Sequence, residues 1–429
     1  MASYGGGIMK KKILVKAPLL TRSGYGEQGR FAVRSLRSRE DLFDIYIHPL
    51  NWGHTSWDVA DTEERAWIDH NIQKTIAYMQ QGGQYDISLQ VTIPNEWERI
   101  APVNIGYTAG IETNRVAGEW IMKAHEMDKM IVVSEHSKNV FKDTVHSGVD
   151  TRTNEKVFLQ LNSDYDITTV GYPVKTYENL PKLDLDVTTK FNFLCVAQWG
   201  PRKNLLNTIR WFVEEFHDNA DVGLIIKTNY AKNCLMDRNR MRREFENLLT
   251  KHHPDRNCKI YLLHGDMTDE EMHALYRHNK VDAFYMLPHG EGFGLPIFEA
   301  AYSALPVVTV GWSGQLDYLT DEKGNTHFYN VGYDIQTIPA EVVWQGVLIE
   351  DSMWANARER SAKKQLRQCY EDFSGPDMKK HKAATKKYAK ALSQRFSEEK
   401  LYEQFVSHIY EPDEEVEEWL SELEEMVNV

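Results

Sequence analysis

The stretch "VDAFYMLPHGEGFGLPIFEAA", residues 281–301, decides the fold reading. It opens with a short apolar run of strand length and closes on Pro288. Next comes a loop made almost wholly of glycine and phenylalanine. "PIFEAAYSA" then has helical character, and Pro296 suits a first helical turn, where its missing N–H costs nothing. The segment therefore reads as strand, loop, helix. Gly292 and Gly294 let main-chain N–H groups come close to a ligand. Those amides, with the helix N-terminus, favour oxyanions or sugar hydroxyls. Glu291 stands at the mouth of the loop and Glu299 about one turn into the helix. Together they could grip different parts of one elongated ligand. A carboxylate accepts two hydrogen bonds side by side, which suits the vicinal diol of a ribose or of a hexose or pentose ring.

The same rhythm extends in both directions. "FNFLCVAQW", "VGLIIKT", "KIYLLHGD" and "LPVVTVGW" are apolar runs separated by helical material, a βα array over about 190–345. Earlier, "KILVKAPLL" (12–20), "FDIYIHPLNW", "YDISLQVTI", "VNIGYTAG" and "KMIVVSEHS" form a similar array. In it, "TRSGYGEQGR" reads as a glycine turn before a helix. Alternation of this kind predicts parallel strands with crossover helices. "VGYPVKTYENLPKLDLDVTTK" (170–190) breaks it with two prolines and polar residues, as an interdomain linker would. From about 354 the chain turns polar and helical; its basic "DMKKHKAATKKYAKAL" and acidic "EPDEEVEEWLSELEEMVNV" read as solvated helix faces. The expected fold is α/β: two doubly wound, Rossmann-like domains facing a cleft, with a C-terminal helical tail. The expected divisions are 1–175, a linker at 176–189, 190–390, and a tail over 391–429 crossing back to the first domain. In such sheets ligands bind at the carboxyl ends of the strands.

Composition narrows the function classes. The 429 residues suffice for two or three domains, and their formal net charge of -13 argues against a wholesale nucleic-acid or membrane coat. Cys195, Cys234, Cys258 and Cys369 are scattered, with no C-x-x-C pair, and read as reduced thiols in a cytosol with no structural metal site. Neither a secretory leader nor a run of membrane-spanning length is legible. The expected location is cytoplasmic, with a peripheral membrane position as a variant.

A second segment adds charge. "CVAQWGPRKNLL" (195–206) leaves the first strand of the second array and enters a helix, putting Arg202 and Lys203 at the turn. Two cations beside helix N-terminal amides suit a diphosphate.

With these residues in view, the chain resembles the retaining glycosyltransferases of the GT-B "group one" family, which use nucleotide-sugar donors. The likeness is strongest over 194–319, in "FLCVAQWGPRKN", "YLLHGDMTDEEMHALY", "HGEGFGLPIFEAAYSALPVV" and "GWSGQLDYL". "TRSGYGEQGR", "GIETNR" and "VVSEHSKNVF" are similar to weaker family segments. The resemblance implies that Glu291 contacts donor-sugar hydroxyls near the reacting carbon, while Gly292, Phe293 and Gly294 offer amides to the same sugar. It implies that Glu299 binds the nucleotide ribose, and that Lys203 with Arg202 neutralises the departing diphosphate. Leu295 and Asn204 join the donor-binding set. Gly24, Tyr25 and Gly26 would approach the diphosphate or acceptor from the opposite domain. The chain departs from the family in two places. Ala197-Gln198 stands where members usually have Gly-Arg, so Arg202 is expected to substitute. Glu112 stands in the segment where many members carry a first-domain histidine.

The implied chemistry is glycosyl transfer with retention from a nucleotide diphosphate-sugar, UDP- or GDP-linked. No carboxylate nucleophile for a double displacement is evident. No cofactor or metal is required, since Arg202 and Lys203 could serve as the counter-charge. Acceptor candidates lie in the first domain. "HPLNWGHTSW" offers Trp52, His54 and Trp57, whose rings could stack on sugars or nucleobases. Arg30, Arg34 and Arg37 fall at i, i+4, i+7 and could meet an anionic lipid, a phosphorylated glycan or a nucleic acid. Three readings stay open: transfer to a glycan or lipid-linked saccharide, transfer to a nucleic-acid base such as a hydroxylated DNA base, and a non-catalytic binding module.

Overall fold

The computed structural model describes residues 10–53, 55–149 and 152–412. The first sheet contains β1 (Lys11–Ala17), β2 (Phe43–Pro49), β3 (Ile87–Val91), β4 (Val103–Thr108) and β5 (Lys129–Val132). A small antiparallel hairpin, β6 (His146–Val149) and β7 (Lys156–Leu159), precedes an edge strand, β8 (Ile167–Thr169). The order is β2-β1-β3-β4-β5-β8, with every pair parallel. The crossover helices are α1 (Gly24–Arg37), α2 (Glu63–Gln80), α3 (Gly118–His125) and α4 (Glu135–Asp143).

The second sheet holds β9 (Phe191–Val196), β10 (Val222–Lys227), β11 (Lys259–Leu263), β12 (Ala283–Tyr285), β13 (Val307–Val310) and β14 (Tyr329–Val331), in the order β11-β10-β9-β12-β13-β14, again all parallel. Its helices are α5 (Leu205–Phe216), α6 (Leu235–His252), α7 (Asp269–Tyr276), α8 (Leu295–Tyr302) and α9 (Leu316–Leu319). A hairpin of β15 (Tyr333–Thr337) and β16 (Met353–Ala357) follows, then α10 (Glu359–Ser374), α11 (Met378–Arg395) and α12 (Glu398–Ile409).

Helices on both faces explain why the central strands read as unbroken apolar runs. All five residues of β3 are buried, as are the first five of β9. The expected two-domain, doubly wound α/β fold is therefore present. Two local expectations are corrected. Gly24 and Gly26 do not form a turn: α1 begins at Gly24, because the Ser23 hydroxyl caps it by accepting from Gly26 N at 2.9 Å. The segment from 354 is not yet helical either. Its first residues complete β16, with Trp354 and Ala355 buried, and α10 starts at Glu359.

Residues 170–189 contain no regular element and run beside the chain's second crossing. Val174 N donates to Phe396 O at 2.8 Å, between α11 and α12. The helix α11 stays on the second domain, where Tyr388 donates to Tyr318 O at 2.6 Å. The helix α12 lies on the first, where Phe405 packs against Phe31 and Tyr107 with ring centroids 5.3 and 5.2 Å apart. Among the described residues, no helix is long and apolar enough to cross a membrane.

Candidate active site

The strand β9 ends at the domain boundary in a tight turn over Pro201–Lys203. Asn204 then takes a left-handed conformation (φ 51°) and starts α5. Asparagine tolerates that backbone better than most side chains. The turn brings Arg202 and Lys203 onto the glutamate loop. Lys203 Nζ lies 2.5 Å from Glu291 Oε1, and Arg202 Nη1 lies 3.1 Å from Glu291 Oε2. The other guanidinium nitrogen, Nη2, reaches Glu112 Oε1 of the first domain at 3.1 Å, and Nη1 also donates to Gly290 O at 2.9 Å. Four expected site residues thus form one chain of charge, Glu112–Arg202–Glu291–Lys203.

Glu291 is only 5% exposed. Burial alone would raise its carboxyl, but Lys203 and Arg202 hold it below the ordinary value. Burial and the neighbouring Arg202 lower the Lys203 ammonium, and Glu291 offsets this only in part. A buried cation with depressed basicity, beside a second cation, is poised to gain from an incoming anion.

The loop is held from beneath by residues that the sequence reading assigned no role. Ser313, itself at φ 79°, accepts from Glu291 N through Oγ at 2.9 Å. Gly314 N donates to Glu291 O at 3.0 Å. The Ser313 hydroxyl is tied to the buried Gln315 at 2.8 Å. Tyr318 donates to Phe293 O and Gly294 O at 3.0 and 2.8 Å. Gly294 sits at φ 87°, a conformation that requires glycine, and α8 begins immediately after it. Among the described residues, no acceptor faces the N–H groups of Gly292, Phe293, Gly294 or Leu295. These four free donors lead into a helix N-terminus, a cradle of the kind that accepts anions. The Phe293 ring is not part of it: it is buried against Tyr172, Phe298 and Tyr318.

The loop also touches the opposite domain. A Cβ on Gly290 would lie 2.1 Å from Glu112 O, and one on Gly292 would lie 2.1 Å from Ala109 O. Neither position admits a side chain while the domains are apposed.

Glu299 occupies a separate environment. Burial pushes its carboxyl up to about 7, opposed by Lys175 and by the Tyr276 hydroxyl. Lys175 spans the domains, 2.7 Å from Glu27 of α1 and 2.9 Å from Asp269 of α7.

The first-domain candidates divide. Gly24 has open space where a Cβ would be, whereas Gly26 is closed against Thr21 O. Tyr25 is buried, with its hydroxyl 2.7 Å from Thr108 Oγ1 and its ring 4.4 Å from that of Trp52. Trp57 is 52% exposed. His54 lies outside the described residues. The three arginines of the stripe are all paired. Arg30 bonds Glu27 and the carbonyls of Leu19 and Thr21. Arg34 pairs with Glu27 and Glu64, and Arg37 pairs with Glu63 and lies over Trp67. The stripe is neutralised by acids from α1 and α2, so it is no bare basic surface. Asn204 accepts through Oδ1 from Asn207 Nδ2 at 2.8 Å, and its main-chain oxygen accepts from Thr208 N at 3.1 Å at the start of α5. Gln198, at the departure from the family pattern, donates to Tyr230 O at 2.9 Å.

Residues 181–342 match the model of a family described as glycosyl transferases group 1. Among curated proteins, the chain is similar to the serotype-specific mannosyltransferase WbdA of Escherichia coli. It is 28% identical over 159 residues, 37% of this chain and 17% of that protein. The chain thus spans about a sixth of the length of the curated relatives it matches. Among solved structures, the fold is similar to Anabaena Alr3699/HepE in complex with UDP and glucose (TM-score 0.56, 12% identity, 93% of this chain and 99% of that one). It is likewise similar to a glycosyltransferase from Rickettsia africae ESF-5 (TM-score 0.55, 13% identity, 93% and 98%). Residues 181–342 therefore carry the group 1 sequence pattern, and the described residues share the two-domain GT-B fold of those structures.

Proposed function

We propose that this chain, with its GT-B fold and group 1 second domain, transfers a sugar from a nucleotide diphosphate-sugar to a hydroxyl acceptor with retention of anomeric configuration. The observation that carries the reading is the ion-paired set Lys203–Glu291–Arg202 beside the four free amides of residues 292–295, which lead into α8. The diphosphate lies against Lys203, Arg202 and those amides. Glu291 turns to hydroxyls of the donor sugar, and Glu299 receives the ribose diol. In the reaction the bond from the anomeric carbon to the phosphate oxygen breaks, and its electron pair stays on the phosphate. Fixed cations and helix amides stabilise that charge without reorganising. The acceptor oxygen bonds to the anomeric carbon on the same face, and its proton passes to the departing phosphate oxygen. The reaction needs no metal, because Arg202 and Lys203 supply the positive charge.

A mannosyl group is the first choice, supported by the mannosyltransferase relatives. The acceptor is a glycan or lipid-linked saccharide in the cytoplasm, and the pairing of Arg30, Arg34 and Arg37 with acids removes the main support for a nucleic-acid acceptor.

A thermal-shift screen against UDP- and GDP-sugars tests the reading. One donor should raise the melting temperature, as a ligand of the native state must. Glu299→Ala should lose the response, and NMR of the product should show the donor's anomeric configuration. No response to any donor, or an inverted product, overturns the reading.

A further inference from the structure

His289 directly precedes the glutamate loop, and the mechanism above leaves it unused. Its main chain is pinned on both sides: His289 N donates to Arg202 O at 2.8 Å, and His289 O accepts from Ala355 N at 3.0 Å. The ring stacks on Trp354, with centroids 4.5 Å apart and planes 9° apart. Trp354 is itself buried, on β16. Ring atom Nδ1 lies 2.8 Å from Ala355 O.

A carbonyl oxygen can only accept, so Nδ1 carries the hydrogen. In the neutral ring, Nε2 then holds a bare lone pair. Burial, aided by the Arg202 guanidinium, lowers the basicity of the ring and keeps it neutral. Among the described residues, Nε2 has no hydrogen-bond partner, and the half-buried ring remains open to solvent on one side. Four separate contacts thus fix a hydrogen-bond acceptor two residues from Glu291.

The chemistry of that acceptor selects its ligand. A diphosphate presents lone pairs and would be repelled. A sugar hydroxyl offers the hydrogen that Nε2 lacks. The ring sits where β16 meets the first-domain loop, with Met353 N bonding Asn114 Oδ1 at 2.7 Å and Glu112 two residues away along that loop. The ring touches Trp354 and Ala355, whereas Glu299, to which the donor's ribose is assigned, faces Lys175 and Tyr276.

We propose that His289 Nε2 accepts a hydrogen bond from a hydroxyl of the acceptor saccharide next to the reacting one, and so fixes which hydroxyl is glycosylated. The inference rests on the transferase reading above. The β15–β16 hairpin then acts as a template: Ala355 sets the tautomer and Trp354 sets the ring plane.

Two substitutions separate this role from a structural one. Asn places an amide at the δ level and can keep the bond to Ala355 O, but it has no ε acceptor. Gln supplies an ε acceptor without the δ donor. The probes are a nucleotide sugar selected by the screen and methyl α-mannopyranoside with its monodeoxy analogues. His289→Asn should keep donor affinity within about twofold and raise the KM for the mannoside about tenfold, the size of one lost hydrogen bond to substrate. His289→Gln should recover part of that loss. One deoxy analogue should be about tenfold poorer with the wild type and no poorer than the parent with His289→Asn, as a shared contact requires. An unchanged mannoside KM in the Asn variant, or a rise in donor KM instead, overturns the inference. So does a wild-type protein that binds a donor but neither binds nor glycosylates the mannoside. A wild-type protein that binds no donor sinks the transferase reading itself.

Discussion

Arg202 reaches Glu112 across the domain boundary, its Nη2 standing 3.1 Å from Glu112 Oε1. That pair competes with the diphosphate assigned to Arg202, since a guanidinium committed to two carboxylates has less to offer a phosphate. Glu112→Gln should therefore tighten UDP or GDP binding by about fivefold, for a part-exposed pair worth about 1 kcal/mol. Calorimetric titration of the nucleotide reads the effect. Weaker binding instead would mean that Glu112 touches the donor directly.

Lys203 is the principal counter-charge of a carboxylate that is almost fully buried. Removing it leaves Glu291 charged and short of a partner. Lys203→Met should cost about 3 kcal/mol, in the range for breaking a buried pair. The double variant Lys203→Met, Glu291→Gln should recover most of that, because no buried charge is left stranded. Urea unfolding of the wild type, Lys203→Met, Glu291→Gln and the double variant gives the coupling. Additive losses would place the two side chains in separate environments.

The legibility of this chain follows burial. The strands β1, β3, β4, β9 and β10 announce themselves because both their faces are covered, and an apolar run then needs no periodicity. The glutamate loop was legible for a different reason: glycines, a proline and two acids at a strand-to-helix junction carry local chemistry. What escaped were contacts set by distant chain. Nothing near Ser313 marks its hydroxyl as the support of Glu291 N, 22 residues away. Nothing in "SMWANARER" distinguishes the strand Met353–Ala357 from a helix start, because its stability comes from β15 and from His289. Arg30, Arg34 and Arg37 were legible as a stripe, but their neutralisation by Glu63 and Glu64 required knowing how α2 packs beside α1.

Gly290 and Gly24 separate two uses of glycine. A Cβ at Gly290 would meet the Glu112 main chain at 2.1 Å, and a backbone atom cannot swing aside. Gly290→Ala should force the loop from the first domain and cost about 1 to 3 kcal/mol, as overpacking does. The transfer rate should drop at least about tenfold, since a displacement of the order of 1 Å near the reacting groups suffices. Gly24 meets nothing within 4 Å and lies at the start of α1. Gly24→Ala should leave the melting temperature unchanged or slightly raised. If it also abolishes the donor-induced shift, that open space is where the donor runs.

The ribose role proposed for Glu299 predicts that donor binding depends on pH, with a defined sign. Its carboxyl ordinarily titrates near 4.5 and here is pushed up to about 7 by burial. A raised carboxyl favours folding only in its protonated form, so this group's contribution to stability is present at low pH and is lost as pH rises through about 7. Binding runs the opposite way, because a ribose diol donates two hydrogen bonds and needs the carboxylate. The donor dissociation constant should be flat above about pH 8 and rise about tenfold for each unit below about pH 6, where protonation competes with the ligand. Glu299→Gln should bind weakly at every pH and lose the slope. Titrations of one nucleotide sugar between pH 5 and 9 on both proteins decide the matter: a slope that survives in the Gln variant would belong to another group, and Glu299 would not be the ribose ligand.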